Sequence, residues 1–397
     1  MAERQRKAIQ EVNIEMGDEL SDAFYQASKQ TFANRPTVFK PSSTYFGTRR
    51  FRIPGSPIGI GLNSDGIGTK VELSERLEDH RTMAYNLTAM ACDDAVRDGG
   101  EPVGIQTILD VNQVVGDPDD PEQVAYMKVM MRQLIEGYVA AANDAGIVIS
   151  GGELAELGDR VGGYEDPERP FNFHYNWGAT AISYVHDERE IDGTGVKEGD
   201  ALVAFKEQGF RSNGITDVRD ALVRKFGEHW HKEKTTSSLG GRALGELVLA
   251  PSIIYSPLVT DLTGGYKLRR KPVTKITGVA HITGGGQPSK LGRMLQPSGL
   301  GAVIDNPHAV PPIMEYAQEL LDIDDTKAYK KWNLGSGMIV ATPDPETVIE
   351  VARYYGIDAK RVGEVVARRS IMIANKGVRS NDETAPQYLE FPTLSAA

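Results

Sequence analysis

A charged, glycine-containing stretch at residues 186–200 (HDEREIDGTGVKEGD) divides the chain into two series of elements. In each series, short apolar runs that predict strands alternate with amphipathic patterns that predict helices. The clearest helix begins at Pro121, because proline is favoured in the first turn of a helix. Alternation of this kind favours sheets that are covered by helices. We therefore predict a mixed α/β (α+β) fold of two layered domains.

The patterns divide the chain into four segments. Residues 57–190 and 191–375 form the two domains, residues 1–56 precede them as a polar extension, and residues 376–397 follow as a tail. The tail is polar and contains proline, so we predict that it is mobile. A length of 397 residues is sufficient for two domains that each bury a core of their own.

Composition excludes several classes of protein. The chain has 44 basic and 55 acidic side chains, a net charge of −11, which argues against a sequence-independent nucleic-acid binder. No apolar run is long enough to span a membrane, and no apolar stretch follows the basic start as in a secretory signal. Cys92 is the single cysteine, so no intrachain disulfide can form. We expect a cytoplasmic protein that binds neither nucleic acid nor membranes.

Carboxylates stand beside glycines in three separate turn-rich segments. These are Asp65 in NSDGIGTK, Asp93 and Asp94 in MACDDAVRDGGEP, and Glu153 in SGGELAE. Carboxylate oxygens from separate segments can converge on Mg²⁺, which often bridges to phosphates. Simple turns whose acids face water would explain any one of the segments alone. The three together favour a site for a metal ion and a phosphate.

Two further segments are typical of anion sites. Ser212 in GFRSNGITDVRD is a suitable N-cap, and the free amides of the helix start, with Arg211, suit a phosphate group. In AHITGGGQPSK, His281 and Thr283 precede three glycines, which are costly to order without close packing or a ligand. Ordinary helix capping by Ser212 and a hydrogen-bonded loop histidine at 281 remain alternative interpretations.

In their order and spacing, these segments resemble the aminoimidazole ribonucleotide synthetase (phosphoribosylformylglycinamidine cyclo-ligase) family of the PurM-like ATP-binding superfamily. The resemblance implies ATP-dependent closure of the imidazole ring of formylglycinamidine ribonucleotide, through activation of its amide oxygen. It also implies a homodimer that forms through the N-terminal domains. The matching motifs are SDGIGTK (64–70), MACDDAVRDGGEP (90–102), GGELAE (151–156), SNG (212–214), HITGGG (281–286), NLGSGM (333–338) and VGEV (362–365).

The resemblance implies roles for the residues at the matching positions. It implies that Mg²⁺ binds Asp65, Asp94 and Glu153, and that the catalytic residues are Asp94, His281 and Arg211. ATP is implied at Asp65, Gly66, Gly68, Thr69, Lys70, Asp93, Gly151, Gly152 and Glu153. The ribonucleotide substrate is implied at Ser212, Asn213, Gly214, Thr283, Gly284 and Gly285. Residues 1–56 would act as a lid over ATP, with Lys29 or Lys40 as the candidate lysine.

The chain departs from the family on the substrate and lid sides. Arg211 and Ile215 stand where the family typically has histidine and tyrosine, and only Gly47 remains of a glycine-rich segment before the first motif. Arginine stays charged near neutral pH and cannot shuttle a proton as histidine does. A relative that activates another amide, carboxylate or phosphate is therefore one alternative. A non-catalytic nucleotide-binding scaffold is the other, although the retained carboxylates argue against it.

Overall fold

Two mixed sheets form the centres of two domains in the computed structural model, which describes residues 14–40, 50–235 and 239–393. The strands are β1 (Phe39–Lys40), β2 (Arg50–Arg52), β3 (Ile58–Gly66), β4 (Glu101–Val111), β5 (Val148–Glu156), β6 (Tyr175–His186), β7 (Ala201–Lys206), β8 (Gly278–His281), β9 (Gly301–Ile304), β10 (Ser336–Thr342), β11 (Ala359–Val366), β12 (Ser370–Ala374) and β13 (Tyr388–Pro392). The helices are α1 (Ile14–Lys29), α2 (Lys70–Leu77), α3 (Met83–Val96), α4 (Pro121–Ala145), α5 (Ile215–Phe226), α6 (Leu244–Leu249), α7 (Ser256–Thr263), α8 (Gly286–Leu295), α9 (Pro312–Leu321), α10 (Asp325–Lys331) and α11 (Pro345–Tyr354).

The first sheet has one covered face and one open face. Its strand order is β1-β2-β3-β6-β4-β5, and only β4 and β5 run parallel. Along β6, Trp177, Ala179 and Ala181 alternate with exposed or half-buried residues and pack towards the helices, as a half-buried strand requires. On the opposite face, Leu62 and Ile108 are 46% and 56% exposed.

The second sheet is buried on both faces at strands β7, β10 and β8. Its order is β13-β12-β9-β11-β7-β10-β8, and only β12 and β9 run parallel. Leu202 and Ala204 of β7 belong to the larger core, whereas Val203 and Phe205 face a second core against α7 and α11. Burial on both faces explains why β7 reads as a continuous apolar run, ALVAF. Within the described ranges, no helix has both the length and the apolar content needed to cross a bilayer.

Part of the C-terminal tail belongs to the second sheet, so the predicted mobility does not hold for residues 388–392. Strand β13 pairs antiparallel with β12 and forms the edge of the sheet. Leu389 and Phe391 are buried at alternating positions of YLEFP. This alternation of buried and exposed residues indicates a strand, although the composition of the tail as a whole is polar. Residues 394–397 lie outside the described ranges.

The N-terminal extension contributes two strands to the first sheet. Strands β1 and β2 pair antiparallel and join the sheet through β3. Residues 1–13 and 41–49, which include Gly47, lie outside the described ranges, as does the side chain of Lys40. Lys29 is exposed at the end of α1 and donates to Gln26. A lid formed by residues 1–56 stays a prediction.

Hydrogen bonds between the two domains fix how they face each other. The buried ammonium of Lys70, at the start of α2, donates to the Asn86 side chain at 2.8 Å and to the carbonyl oxygen of Ala250 in the second domain. The same Asn86 oxygen accepts from the amide and the hydroxyl of Ser252. These bonds bring the carboxyl end of β3 towards the loops that follow β7 and β8.

Candidate active site

Four of the sequence motifs meet where β3 ends. The hydroxyl groups of Thr69 and Thr216 lie 2.8 Å apart, which joins the DGIGTK turn to the start of α5. His281, at the end of β8, lies 2.8 Å from Asp94 of α3, although 187 positions separate the two in sequence. A Cβ atom on Gly284 would lie 3.3 Å from Asn213 Oδ1, so the TGGG and SNG loops face each other.

A buried hydrogen-bond chain connects the two domains at this point. Arg211 Nη1 donates to Glu207 at 3.0 Å, and Nη2 donates to Asp93 at 2.8 Å and contacts His281 Nε2 at 2.9 Å. His281 Nδ1 in turn contacts Asp94 Oδ1. The side chains of Arg211, Asp93 and Glu207 are 0% exposed and that of His281 is 1% exposed, whereas that of Asp94 is 33% exposed. Asp94 is therefore the member of the chain that reaches solvent.

Burial limits three of the predicted roles. The side chains of Arg211 and His281 are 0% and 1% exposed, so they offer almost no surface to a substrate in this arrangement, and their assignment as catalytic residues stays a prediction. Asp93 was predicted to contact ATP, but its Oδ1 accepts from the amides of Tyr255 and Ser256 at the start of α7, at 2.9 and 2.8 Å. The partners that bury these side chains come from distant segments, so their burial could not be inferred from local sequence.

Asp65 and Asp94 form a pair of interacting carboxylates. Desolvation and the neighbouring Asp94 raise the pKa of Asp65 to about 6. Desolvation alone would raise the pKa of Asp94, but Arg97, His281 and Lys290 hold it below its usual range. Burial and Arg211 lower the pKa of His281 to about 4, so the ring is neutral at pH 7. Two carboxylates that repel each other supply the oxygen ligands that a hard cation such as Mg²⁺ prefers.

Glu153 does not join this pair within one chain. In the ladder of the first sheet, Asp65 is opposite Ala179, which faces the helices, whereas Glu153 is opposite Ile108, which faces outwards. Strands β6 and β4 stand between β3 and β5, a separation of roughly 14 Å at about 4.8 Å per strand. Among the described residues, no three acidic, histidine or cysteine side chains are grouped as metal ligands. The described residues of one chain therefore do not support a metal site shared by Asp65, Asp94 and Glu153, and the shared site stays a prediction.

The glycines before Glu153 have a structural explanation. Gly151 adopts a φ of 149°, and the register between β4 and β5 shifts at this point of the ladder. A Cβ atom on Gly152 would lie 2.9 Å from the carbonyl oxygen of Thr107. The pair thus accommodates a bulge and a close backbone contact in an edge strand. The structure does not bring Gly151 and Gly152 to Asp65, so their contact with ATP is not supported in one chain.

The DGIGTK turn directs Asp65 to the site. The amide of Gly66 donates to Asp65 Oδ1 at 2.7 Å, and Gly68 has a left-handed φ of 67° that turns the chain from β3 into α2. The Lys70 ammonium is 0% exposed, and burial lowers its pKa to about 7. To contact a phosphate, Lys70 would have to leave Asn86 and Ala250. Contacts of Gly66, Gly68 and Thr69 with ATP stay predictions.

Two helix N-termini face each other on the predicted substrate side. Helices α5 and α8 begin after Gly214 and Gly285, both left-handed, and neither helix has a side-chain cap. Ser212 does not cap α5 as predicted; its hydroxyl is buried and has no hydrogen-bond partner among the described residues. Thr283 lies half-buried in the loop between β8 and α8, and its carbonyl oxygen accepts from the Gly286 amide. Uncapped amides at both helix starts suit an anionic group of a substrate.

Sequence reasoning missed a group of cations beside His281. Arg97, Lys290 and Arg293 line a cavity of about 40 Å³ between the domains. Lys290 also lowers the pKa of both Asp65 and Asp94, which places it near the carboxylate pair. Lys290 and Arg293 are three positions apart on α8, so they lie on one face of that helix. This spacing after the TGGG motif is the signal that could have identified them.

Comparison with known proteins gives consistent matches over most of the chain. The model of AIR synthase related protein, N-terminal domain, matches residues 52–168, and that of its C-terminal domain matches residues 197–374. The phosphoribosylformylglycinamidine cyclo-ligase of Picosynechococcus sp. is 30% identical over 361 residues, which are 90% of this chain and 95% of that protein.

Solved structures with low sequence identity share the fold. Thermotoga maritima PurL complexed with FGAR is 13% identical, with a TM-score of 0.53 over 91% of this chain and 49% of that one. The chain thus spans about half the length of that structure. Escherichia coli HypE, a hydrogenase maturation protein, is 15% identical, with a TM-score of 0.52 over 86% of this chain and 87% of that one. The predicted mixed fold of two layered domains is confirmed.

Proposed function

This chain belongs to the AIR synthase related family, and on that premise we propose that it is a phosphoribosylformylglycinamidine cyclo-ligase. ATP phosphorylates the amide oxygen of formylglycinamidine ribonucleotide, and an internal nitrogen attacks the activated carbon. A C–N bond forms, the C–O bond to the phosphate breaks, and the imidazole ring closes with release of ADP and phosphate. The observation that carries the proposal is 30% identity to a protein of this name over 90% of the chain.

The site supports the proposal through charge and position. Asp65 and Asp94 would hold Mg²⁺, which when bound neutralises the charge between the carboxylates and the phosphates of ATP. Lys290 adds a positive charge beside this pair. The uncapped starts of α5 and α8 offer amides to an anionic group of the ribonucleotide. Phosphoryl transfer depends mainly on such positioning and electrostatic stabilisation.

The purified chain is expected to convert formylglycinamidine ribonucleotide and ATP into aminoimidazole ribonucleotide, with one ADP formed for each ring closed. Both products are measured in the same reaction, with a panel of other amides, carboxylates and phosphates as controls. ADP formed only with another acceptor would favour a relative with a different substrate. ATP binding without turnover on any acceptor would instead favour a scaffold.

We also propose that two copies associate through the open face of the first sheet. The apolar side chains of Leu62 on β3 and Ile108 on β4 are exposed there, and half-buried Ile182 on β6 lies between these strands. A second copy would remove this apolar surface from water, which is the usual reason for such a patch. Glu153 stands on the same face as Ile108, so a dimer would place it at the subunit contact.

Replacing Ile108 with arginine is expected to convert a dimer into a monomer, because it places a charge in the centre of the proposed contact. Sedimentation equilibrium measures the mass, which is 43.3 kDa for one chain. The matched control is Ile135→Arg, because Ile135 is 61% exposed on α4, which packs on the other face of the sheet. A monomeric wild type, or dissociation by both substitutions alike, would contradict the proposal.

A further inference from the structure

Arg211 stands at the centre of the buried chain behind Asp94, and all four of its terminal N–H groups have acceptors. Nη1 donates to Glu207 and to the carbonyl oxygen of Ile253, each at 3.0 Å. Nη2 is 2.8 Å from Asp93 and 2.9 Å from His281 Nε2. Only the planar guanidinium fork can serve four acceptors in this arrangement.

The backbone of Arg211 is held in an unfavourable conformation to achieve this. Its φ of 55° lies in the left-handed region, which is unfavourable for a residue with a Cβ atom. The guanidinium also lies over the ring of Tyr255, 5.1 Å from its centroid. Strained backbone persists where the surroundings determine it and is concentrated at functional sites.

The direction of each hydrogen bond follows from the chemistry of the groups. A guanidinium has donors and no acceptor, so His281 Nε2 must accept from Arg211 through its lone pair. A neutral imidazole whose Nε2 accepts carries its proton on Nδ1. His281 Nδ1–H therefore donates to Asp94 Oδ1 at 2.8 Å. In this hydrogen-bond chain, Arg211 donates to His281 and His281 donates to Asp94, the member that reaches solvent.

We infer that Arg211 is a positioning residue that fixes the Nδ1–H tautomer of His281 and thereby the orientation of the Asp94 carboxylate. The inference deepens the proposed function, because Asp94 is the group through which it would affect the reaction. A purely structural role would tie Asp93 and Glu207 together and leave the ring of His281 oriented by its bond with Asp94 alone.

Solid-state NMR of the full chain with ¹⁵N-labelled histidine rings tests the inference without any substrate. The signals of His281 are assigned by their loss in His281→Gln. We expect a protonated Nδ1 and an unprotonated Nε2 in the wild type. A protonated Nε2 in the wild type would overturn the inference, whatever the variants show.

A double variant then distinguishes a positioning role of Arg211 from a purely structural role. Arg211→Met combined with Asp93→Asn removes the donor to His281 together with one opposite buried charge. We expect a population of the Nε2–H tautomer and a turnover that falls about 10- to 100-fold, as for other residues that orient a ligand from behind. The matched control is Arg219→Met, because Arg219 also joins the two domains, through Glu72, but does not contact His281. It should keep both the tautomer and the turnover.

The two possible failures are distinguishable. A wild type without cyclo-ligase activity would refute the proposed function, while the NMR spectrum would still decide the tautomer. A wild-type tautomer and turnover retained in a folded Arg211→Met/Asp93→Asn variant would refute the positioning role alone. Should the double variant not fold, a protonated Nε2 in the wild-type spectrum would still overturn the inference.

Discussion

Asp94→Asn is expected to lower kcat/KM for ATP turnover on the order of 100- to 1000-fold while leaving the stability of the fold nearly unchanged. Asp94 is the solvent-exposed end of the buried chain, and Arg97, His281 and Lys290 keep its carboxylate ionised. Asparagine has the same shape and can still accept from His281 Nδ1 through its amide oxygen. It removes the negative charge, so we expect weaker binding of Mg-ATP, measured by calorimetry, together with the loss of turnover.

Two further substitutions place this effect in the site. Asp65→Asn should also weaken Mg-ATP binding, because the negative charge of Asp94 acts on Asp65 and raises its pKa. Asp119→Asn, at an exposed turn before α4, is the control and should behave as wild type. Glu153→Gln tests whether Glu153 shares the metal site with Asp65 and Asp94, as the sequence predicts. Because Glu153 faces outwards from the first sheet, we expect this substitution to lower Mg-ATP affinity less than Asp65→Asn does. Unchanged affinity in both Asp65→Asn and Asp94→Asn would refute the assignment of the metal site.

The local sequence pattern predicted the elements that are buried on both faces or that begin with a clear capping signal. Strand β7 reads ALVAF because both faces are buried, and α4 begins at a proline after the capping residue Asp120. Strand β8 has only four residues, and β12 and β13 become strands by pairing with each other. Such short or late elements depend on tertiary partners, so their own sequence gives a weak signal.

The sequence predicted only part of the candidate site, because the rest of the site depends on tertiary partners. Adjacent glycines and acids indicated that Asp65 and Asp94 would converge, and in the structure the charge of Asp94 raises the pKa of Asp65. Periodicity alone could not show that Glu153 is on the opposite face, because the bulge at Gly151 and the strand order decide which way it points. Nor could it show that Arg211 is buried, because three of its four acceptors come from three other segments.

Gly286→Ala is expected to destabilise the protein by roughly 2–5 kcal/mol, because the site offers no room for a side chain. A Cβ atom on Gly286 would lie 1.9 Å from the carbonyl oxygen of Tyr329 and 3.0 Å from that of Trp332, and both contacts are with backbone. The φ of Gly286 is 62°, which adds the cost of a left-handed alanine. The urea midpoint of unfolding measures the loss.

Gly284→Ala is the matched control, since it changes a neighbouring glycine of the same triplet at an exposed position. Its Cβ would meet only the end of the Asn213 side chain, at 3.3 Å, so stability should change by less than about 1 kcal/mol. The added methyl group lies between the starts of α5 and α8, so affinity for the ribonucleotide should fall severalfold. The two variants thus assign one glycine of the motif to packing and another to the ligand. Equal losses of stability in both would contradict that division and return the whole triplet to a structural role.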